Sequence, residues 1–289
     1  MTDAGFVTRF APSPTGLLHQ GHALSAITAY DAAQAAGGRF LLRVEDIDAT
    51  RARPEFETAI HRDLAWLGVR WEPPVRRQSE HLSEYVAALD DLQARGLLYR
   101  CFRTRREIAA AITSAPHGLS SEHPFIGGPL DPAEEAERLA QGHPFAWRLS
   151  LAAARAALGP AWDRLHFIEE GAGPADETGL IPAQPQLHGD VILARKDVGV
   201  AYHLAVVVDD ALQGVSHVIR GEDLFEAAHI QRLLQALLGL PSPAYRHHRL
   251  LTAADGQRLA KRDRAETLRE IRARGVTAQA LKAELGFAY

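Results

Sequence analysis

Short segments that are β-branched or apolar almost without break alternate along this chain with longer stretches of helical character. The strand-like segments are "VTRFA" at 7–11, "RFLLRVED" at 39–46, "LAVVVDD" at 204–210, "VSHVIRG" at 215–221 and "HHRLL" at 247–251. A run with no polar face is buried on both sides, as strands of a parallel sheet are. Helices are expected at 22–36, 55–67, 80–95, 222–238, 264–274 and 277–285. Pro54 suits a first helical turn, and Gly37, Gly68, Gly96 and Gly239 fall just past helix ends. The alternation predicts an α/β fold: a Rossmann-like parallel sheet with right-handed crossovers and a short helical C-terminus.

The middle interrupts this rhythm. Residues 100–195 carry many prolines and glycines, a short helix at 132–140 and strand-like pieces in "FAWRLS" and "DVILARKD". The expected organisation is a catalytic-type domain split into 1–99 and 196–289, with an inserted α+β domain at 100–195.

Within the first strand–turn–helix unit lies "APSPTGLLHQGH", residues 11–22. Two prolines and a glycine forbid regular structure, and then His19 and His22 bracket Gly21 where an apolar helical run begins. A helix start has unsatisfied N–H groups and partial positive charge, so it attracts anions. Gly21 admits a ligand close to the backbone, and the imidazoles donate to phosphate oxygens. The sequence equally permits a turn followed by two surface histidines. Near the other end, Asp255-Gly256 marks a tight turn, followed by Arg258, Lys261, Arg262 and Arg264. That loop is either a solvated basic connection or one that folds over triphosphate charge.

Composition excludes several classes. With 289 residues, 46% hydrophobic and 24% charged, the chain can bury a full core. A net charge of −4 means that any nucleic acid meets a local basic face rather than a polycation. A single cysteine fits a reducing cytosol. The N-terminus has no basic n-region or long apolar core, and no apolar run spans a membrane, so a cytoplasmic chain is expected.

Taken together, "RFAPSPTGLLHQGH" and "DGQRLAKR" resemble the HIGH and KMSKS signatures of class I aminoacyl-tRNA synthetases. The flanking "LLRVEDIDATR", "DLAWLGVRWE", "YHLAVVVDD" and "GVSHVIRGEDL" resemble the glutamyl-tRNA synthetase group. The likeness covers about 1–100 and 187–262. "RLAKR" departs from the family's "KLSKR" by a hydroxyl and the first lysine, and Lys261 keeps the second. Only 27 residues follow Arg262, so the catalytic half alone is expected, without an anticodon-binding domain. That length, and Val206 where discriminating glutamyl enzymes carry asparagine, resemble the glutamyl-Q tRNA(Asp) synthetase branch.

The resemblance implies activation of L-glutamate by ATP with Mg²⁺, and transfer to queuosine in the anticodon stem-loop of tRNA(Asp), by a monomer. It implies His19, His22 and Lys261 as catalytic residues and, with Gly21, as the ATP site. It implies Arg9, Ala11, Ser13, Glu45, Tyr202 and Arg220 as the glutamate site. Arg9 and Arg220 suit carboxylates because a guanidinium fork binds them bidentately, and Glu45 suits the ammonium. Two other readings remain: a truncated glutamyl-tRNA synthetase acting on a tRNA 3′ end, and a non-catalytic paralogue that binds nucleotide or RNA.

Many members of the group carry a zinc site in the insertion. Here Cys101 stands alone, with Arg103, Phe125 and Pro129 at the other positions, so zinc is expected to be absent. His117 and His123 are read as loop histidines. For RNA, two basic clusters stand out: Arg100, Arg103, Arg105 and Arg106, and the arginines of 258–274. Tyr99 and Phe102 are candidates for stacking on a base, and a helix with a solvated basic face is the equal alternative.

Overall fold

The computed structural model describes residues 5–104, 107, 124–195, 199–251 and 266–287. Its centre is two parallel sheets laid edge to edge. The first has the order β1 (Val7–Phe10), β2 (Arg39–Val44), β3 (Glu72–Arg77). The second has the order β10 (His217–Gly221), β11 (Ala244–His248), β6 (His166–Glu169), β7 (Gly179–Pro182), with β7 antiparallel. Ser216 joins them: its N–H donates to the Val7 carbonyl at 2.9 Å, and its hydroxyl accepts from the Val7 N–H at 2.8 Å. The chain therefore runs outward from β1 to β2 on one side and places β10 on the other. Such a reversal opens a crevice at the carboxyl ends of the strands.

Helix α1 (Gln20–Ala35) packs on this seam through Ile27 and through Ala23, Ala26, Ala29 and Ala33, whose small side chains allow close approach. It begins two residues before the expected start because His19 itself is the N-cap. Helix α2 (Pro54–Trp66) starts at Pro54 as expected. The C-terminal helices α8 (Leu268–Ala273) and α9 (Ala278–Glu284) bury Leu268, Ile271 and Leu281 in the same core as α1 and α2.

Two expectations are corrected, and the first is one of bounds: the strand placed at 247–251 runs Ala244–His248. Residues 204–210 are not a strand but lie within a helix, Tyr202–Leu212. Leu204 through Asp210 are all buried there, so no polar face betrays the helical period. This helix (α6) packs with α3 (Leu82–Ala94) and α7 (Phe225–Leu238) in one core, closed at Gly239 with φ +67°.

The third sheet is antiparallel: β4 (Leu98–Cys101), β5 (Ala146–Leu149), β8 (Ile192–Arg195), β9 (Gly199–Val200). It carries α4 (Pro132–Ala140), and α5 (Leu151–Leu158) follows β5. Leu149, Leu193 and Val200 share the core of α3, α6 and α7. From the interval 100–195, β6 joins the parallel sheet through β11.

Candidate active site

Each of the parallel strands at the seam ends in a residue of chemical interest. β1 leads into Ala11 and Ser13, β2 into Glu45, and β10 carries Arg220 one residue before its end. Ala11 is half-buried, Ser13 is exposed, and the Ser13 carbonyl accepts from the Thr15 N–H at 2.8 Å.

At the start of α1 the two histidines cap reciprocally. His19 Nδ1 accepts from the Gly21 N–H at 3.1 Å, and His22 Nδ1 accepts from the His19 N–H at 3.2 Å. The rings lie 3.9 Å apart. A neutral imidazole that accepts at Nδ1 carries its proton on Nε2, so both rings are set as Nε2–H donors. A Cβ on Gly21 would stand 3.0 Å from His19 Cε1, so the glycine makes room for the cap itself.

Lys261, Arg258, Arg262 and Arg264 lie outside the described residues, but both flanks of that segment reach α1. His248, at the end of β11, meets Ser25 Oγ through Nε2 at 2.9 Å. On the other flank, Thr267 bridges to His19, and the Leu268 N–H donates to the Leu18 carbonyl at 2.8 Å.

The two candidate arginines are both buried but differ in partners. Arg9, 4% exposed, donates Nε and Nη2 to Asp210 at 3.0 and 3.3 Å. Asp210 also accepts from the fully buried Arg43 at 2.7 Å, and Arg43 reaches Glu45 at 3.3 Å. Burial pushes the Asp210 carboxyl up, and the charges of Arg9 and Arg43 overcome it and hold the carboxyl below its ordinary value. Glu45 is raised by burial despite Arg43 and Arg9. Neighbouring Asp209 accepts from Arg76, Gln78 and Tyr85 at 2.7, 2.8 and 2.8 Å.

Arg220, 5% exposed, makes no ion pair among the described residues. Its Nε donates to His247 Nε2 at 3.0 Å, Nη1 to Gln231 Oε1 at 2.9 Å and Nη2 to the Leu224 carbonyl at 2.9 Å. One N–H on each terminal nitrogen remains for a further acceptor, the pair that a carboxylate engages. Its guanidinium lies 5.2 Å from the centre of the buried Tyr245 ring. Two more polar atoms nearby, Gln231 Nε2 and His203 Nδ1, are buried without a hydrogen-bond partner. Burial, with His188 and Arg220 close by, lowers His203 to about 4. Buried polar atoms left unmatched in a crevice mark the place of a ligand. Tyr202 begins α6 beside His203, with its ring exposed.

The sequence did not single out Arg43, Asp209, Asp210, Gln231 or His247. Their partners lie far away in the chain, and the available signal was only that charged residues sat inside apolar segments.

In the insertion, Cys101 is buried and carries a free thiol. Among the described residues no group of three or more His, Cys, Asp or Glu is placed to hold a metal. Asp190 ties several segments of this region together. Its carboxylate accepts from the Tyr99 hydroxyl at 2.8 Å, the Gly127 N–H at 2.8 Å and the Leu151 N–H at 2.9 Å. Its own N–H donates to the Phe125 carbonyl at 2.7 Å, and Arg148 stacks 4.5 Å from the Phe125 ring centre.

This corrects the reading of Tyr99 as a base-stacking residue: its ring is 5% exposed and its hydroxyl is committed to Asp190. Arg100 is engaged by Glu135 and stacks on Trp147, whereas Arg103 is exposed. Phe102 is half-buried against Phe145. Arg105, Arg106, His117 and His123 lie outside the described residues. Of the second cluster, Arg272 pairs with Asp63 at 3.0 Å and Arg274 with Glu266 at 2.6 Å. No helix among the described residues is long and apolar enough to cross a membrane.

The profile of the family described as "tRNA synthetases class I (E and Q), catalytic domain" matches residues 6–286. The glutamyl-Q tRNA(Asp) synthetase of Rhodobacter capsulatus is 47% identical over 287 residues, covering 97% of this chain and 99% of that protein. The glutamyl-Q tRNA(Asp) synthetase of Symbiobacterium thermophilum is 42% identical over 96% of this chain and 85% of its own length. Among solved structures, a glutamate tRNA ligase from Elizabethkingia meningosepticum, in complex with its amino acid, superposes with TM-score 0.72 at 26% identity. It covers 90% of this chain, which spans about half (52%) of that longer protein. Sequence and fold agree, and the chain belongs to the glutamyl-Q tRNA(Asp) synthetase family of class I tRNA synthetases.

Proposed function

We propose that the chain activates L-glutamate with ATP and transfers the glutamyl group to queuosine in the anticodon of tRNA(Asp). The observation that carries the reading is one juxtaposition at the seam. A helix start set with two Nε2–H donors lies beside strand ends that hold a buried arginine with no carboxylate of its own. Triphosphate charge suits the first feature, and a carboxylate suits the second.

In this reading Arg220 and Arg9 hold glutamate carboxylates, Glu45 accepts from its ammonium, and Ala11, Ser13 and Tyr202 border the pocket. His19 and His22 donate to ATP phosphates, and the resemblance assigns Lys261 to the same phosphates. Mg²⁺ arrives with ATP as part of the substrate. An oxygen of the glutamate α-carboxylate attacks the α-phosphorus. The bond to the β-phosphate breaks and pyrophosphate leaves. A hydroxyl of the queuosine cyclopentene ring then attacks the acyl carbon. An ester forms, AMP leaves, and the hydroxyl proton passes to solvent. The protein contributes positioning and charge stabilisation rather than covalent chemistry.

The acceptor rests on the names of the relatives. We read the chain as a monomer with a catalytic domain built on 1–99 and 196–289, to whose sheet β6 and β7 are added from the interval 100–195, and with the remainder of that interval as an acceptor-binding insertion. The test has two stages. Glutamate-dependent exchange of pyrophosphate into ATP is expected without tRNA. Labelled glutamate is then expected on 3′-blocked tRNA(Asp) bearing queuosine, and not on the same RNA with guanosine. Labelling only of tRNA(Glu) with a free 3′ end overturns the reading.

A further inference from the structure

Glu169, His247 and Arg220 form a lateral chain across three neighbouring parallel strands. Glu169 ends β6, His247 lies in β11, and Arg220 faces His247 directly in the β10–β11 register. Glu169 Oε1 accepts from the N–H of Gly171 and of His247, both at 2.8 Å, and Oε2 meets His247 Nδ1 at 2.6 Å. His247 Nε2 accepts from Arg220 Nε at 3.0 Å.

These contacts fix the tautomer. The arginine N–H needs an acceptor, so Nε2 carries no proton, and Nδ1 carries it and donates to the carboxylate. Burial, together with the charge of Arg220, keeps the imidazole below its ordinary pKa despite Glu169. The result is a counter-charge held one ring away from the guanidinium. His247 orients Arg220 through Nε alone and covers neither terminal nitrogen. Arg9 is the contrast, because Asp210 grips it directly through Nε and Nη2.

We propose that Glu169 and His247 are positioning residues that aim Arg220 at the substrate carboxylate through a fixed imidazole tautomer. This deepens the reading of Arg220 as a glutamate-binding residue and rests on it.

Three variants separate the roles. His247→Gln places an amide oxygen near the position of Nε2 and retains an acceptor for Arg220. His247→Asn places its amide near Nδ1 and loses that acceptor. In Glu169→Gln the amide oxygen keeps the two backbone N–H groups, so the amide nitrogen faces Nδ1. The imidazole must then accept at Nδ1 and carry its proton on Nε2, donor against donor with Arg220.

Glutamate-dependent pyrophosphate exchange reads KM for glutamate and for ATP separately, with Arg220→Ala as reference. KM for glutamate is expected to rise about tenfold in His247→Asn and Glu169→Gln, the scale of one hydrogen bond to a charged group. KM for ATP is expected to hold, and His247→Gln to stay within about threefold of the parent protein. Nitrogen-15 shifts of His247 are expected to report the Nδ1–H tautomer in the parent protein, and this needs no variant to fold. An unchanged KM for glutamate in Arg220→Ala removes the underlying reading. A raised KM there, with His247→Asn equal to His247→Gln or with the Nε2–H tautomer in the parent protein, overturns the positioning role alone.

Discussion

Both oxygens of Asp210 face the guanidinium of Arg9, at 3.0 and 3.3 Å. The nearer oxygen also takes Arg43 at 2.7 Å, so one buried carboxylate holds two buried cations. Removing it takes the ion-pair partner of Arg9 and the nearest of the three carboxylates around Arg43. Asp210→Ala is expected to cost about 3–5 kcal/mol of stability, measured as the shift in urea unfolding. A loss below about 1 kcal/mol would mean that Asp209 and Glu45 suffice for Arg9 and Arg43.

Gly21 faces a different constraint. A methyl group there presses on the His19 ring, whose Cε1 is 3.0 Å from the Cβ position. Gly21→Ala is expected to raise KM for ATP about tenfold while unfolding stability changes by less than about 1 kcal/mol. If KM for ATP is unchanged, the orientation of His19 is not what the glycine protects.

Thr267 caps α8 through a reciprocal pair with Glu270 and bridges to His19. Thr267→Ala is expected to lower stability by about 1 kcal/mol, the usual worth of such a cap. Calorimetry and exchange kinetics read the two consequences separately. A variant that loses stability without any rise in KM for ATP shows that the bridge to the helix start carries no functional weight.

Burial is the first cause holding His61, His203, His217, His229, His247 and His248 below the ordinary imidazole value. Above about pH 6.5 these rings are neutral in the folded and unfolded chains alike, and stability is fully present. As pH falls below that, the unfolded chain binds protons first and stability declines. His203, lowered to about 4, carries the decline down to that pH. Urea midpoints between pH 7.5 and 4.5 test this, and a midpoint that stays level or rises on acidification contradicts it.

The zinc expectation is tested by elemental analysis. Arg103, Phe125 and Pro129 supply no thiolate or phenolate beside Cys101. Well under one zinc per chain is expected, and one tightly held zinc per chain shows that the insertion binds metal by other residues.

The seam was legible because its signals are local. Prolines and a glycine break the chain before His19, and small apolar residues at helical spacing follow it. Segment 204–210 misled because a buried helix hides its period, and three consecutive valines imitate a strand. The charge network was illegible for another reason. Arg43 and Asp210 are 167 residues apart, and Glu169 and His247 are 78 apart. Strand pairing brings Glu169 to His247, the packing of α6 brings Asp210 to Arg43, and no spacing rule spans either. Tyr99 read as a base-stacking platform because its arginine neighbours were visible, while its partner Asp190 was not.

Asp190 gathers Tyr99 of β4, Gly127 and the start of α5 onto one carboxylate. The junction is built from a phenol, a carboxylate, backbone amides and the Arg148 guanidinium, which donates to the Asp190 carbonyl. Chelators draw nothing from such groups, and mild oxidants leave them unaltered, whereas thiolates are vulnerable to both. The one thiol nearby, Cys101, is buried and takes no part in the junction. The Asp190 junction thereby depends on neither a bound metal ion nor the oxidation state of a thiol.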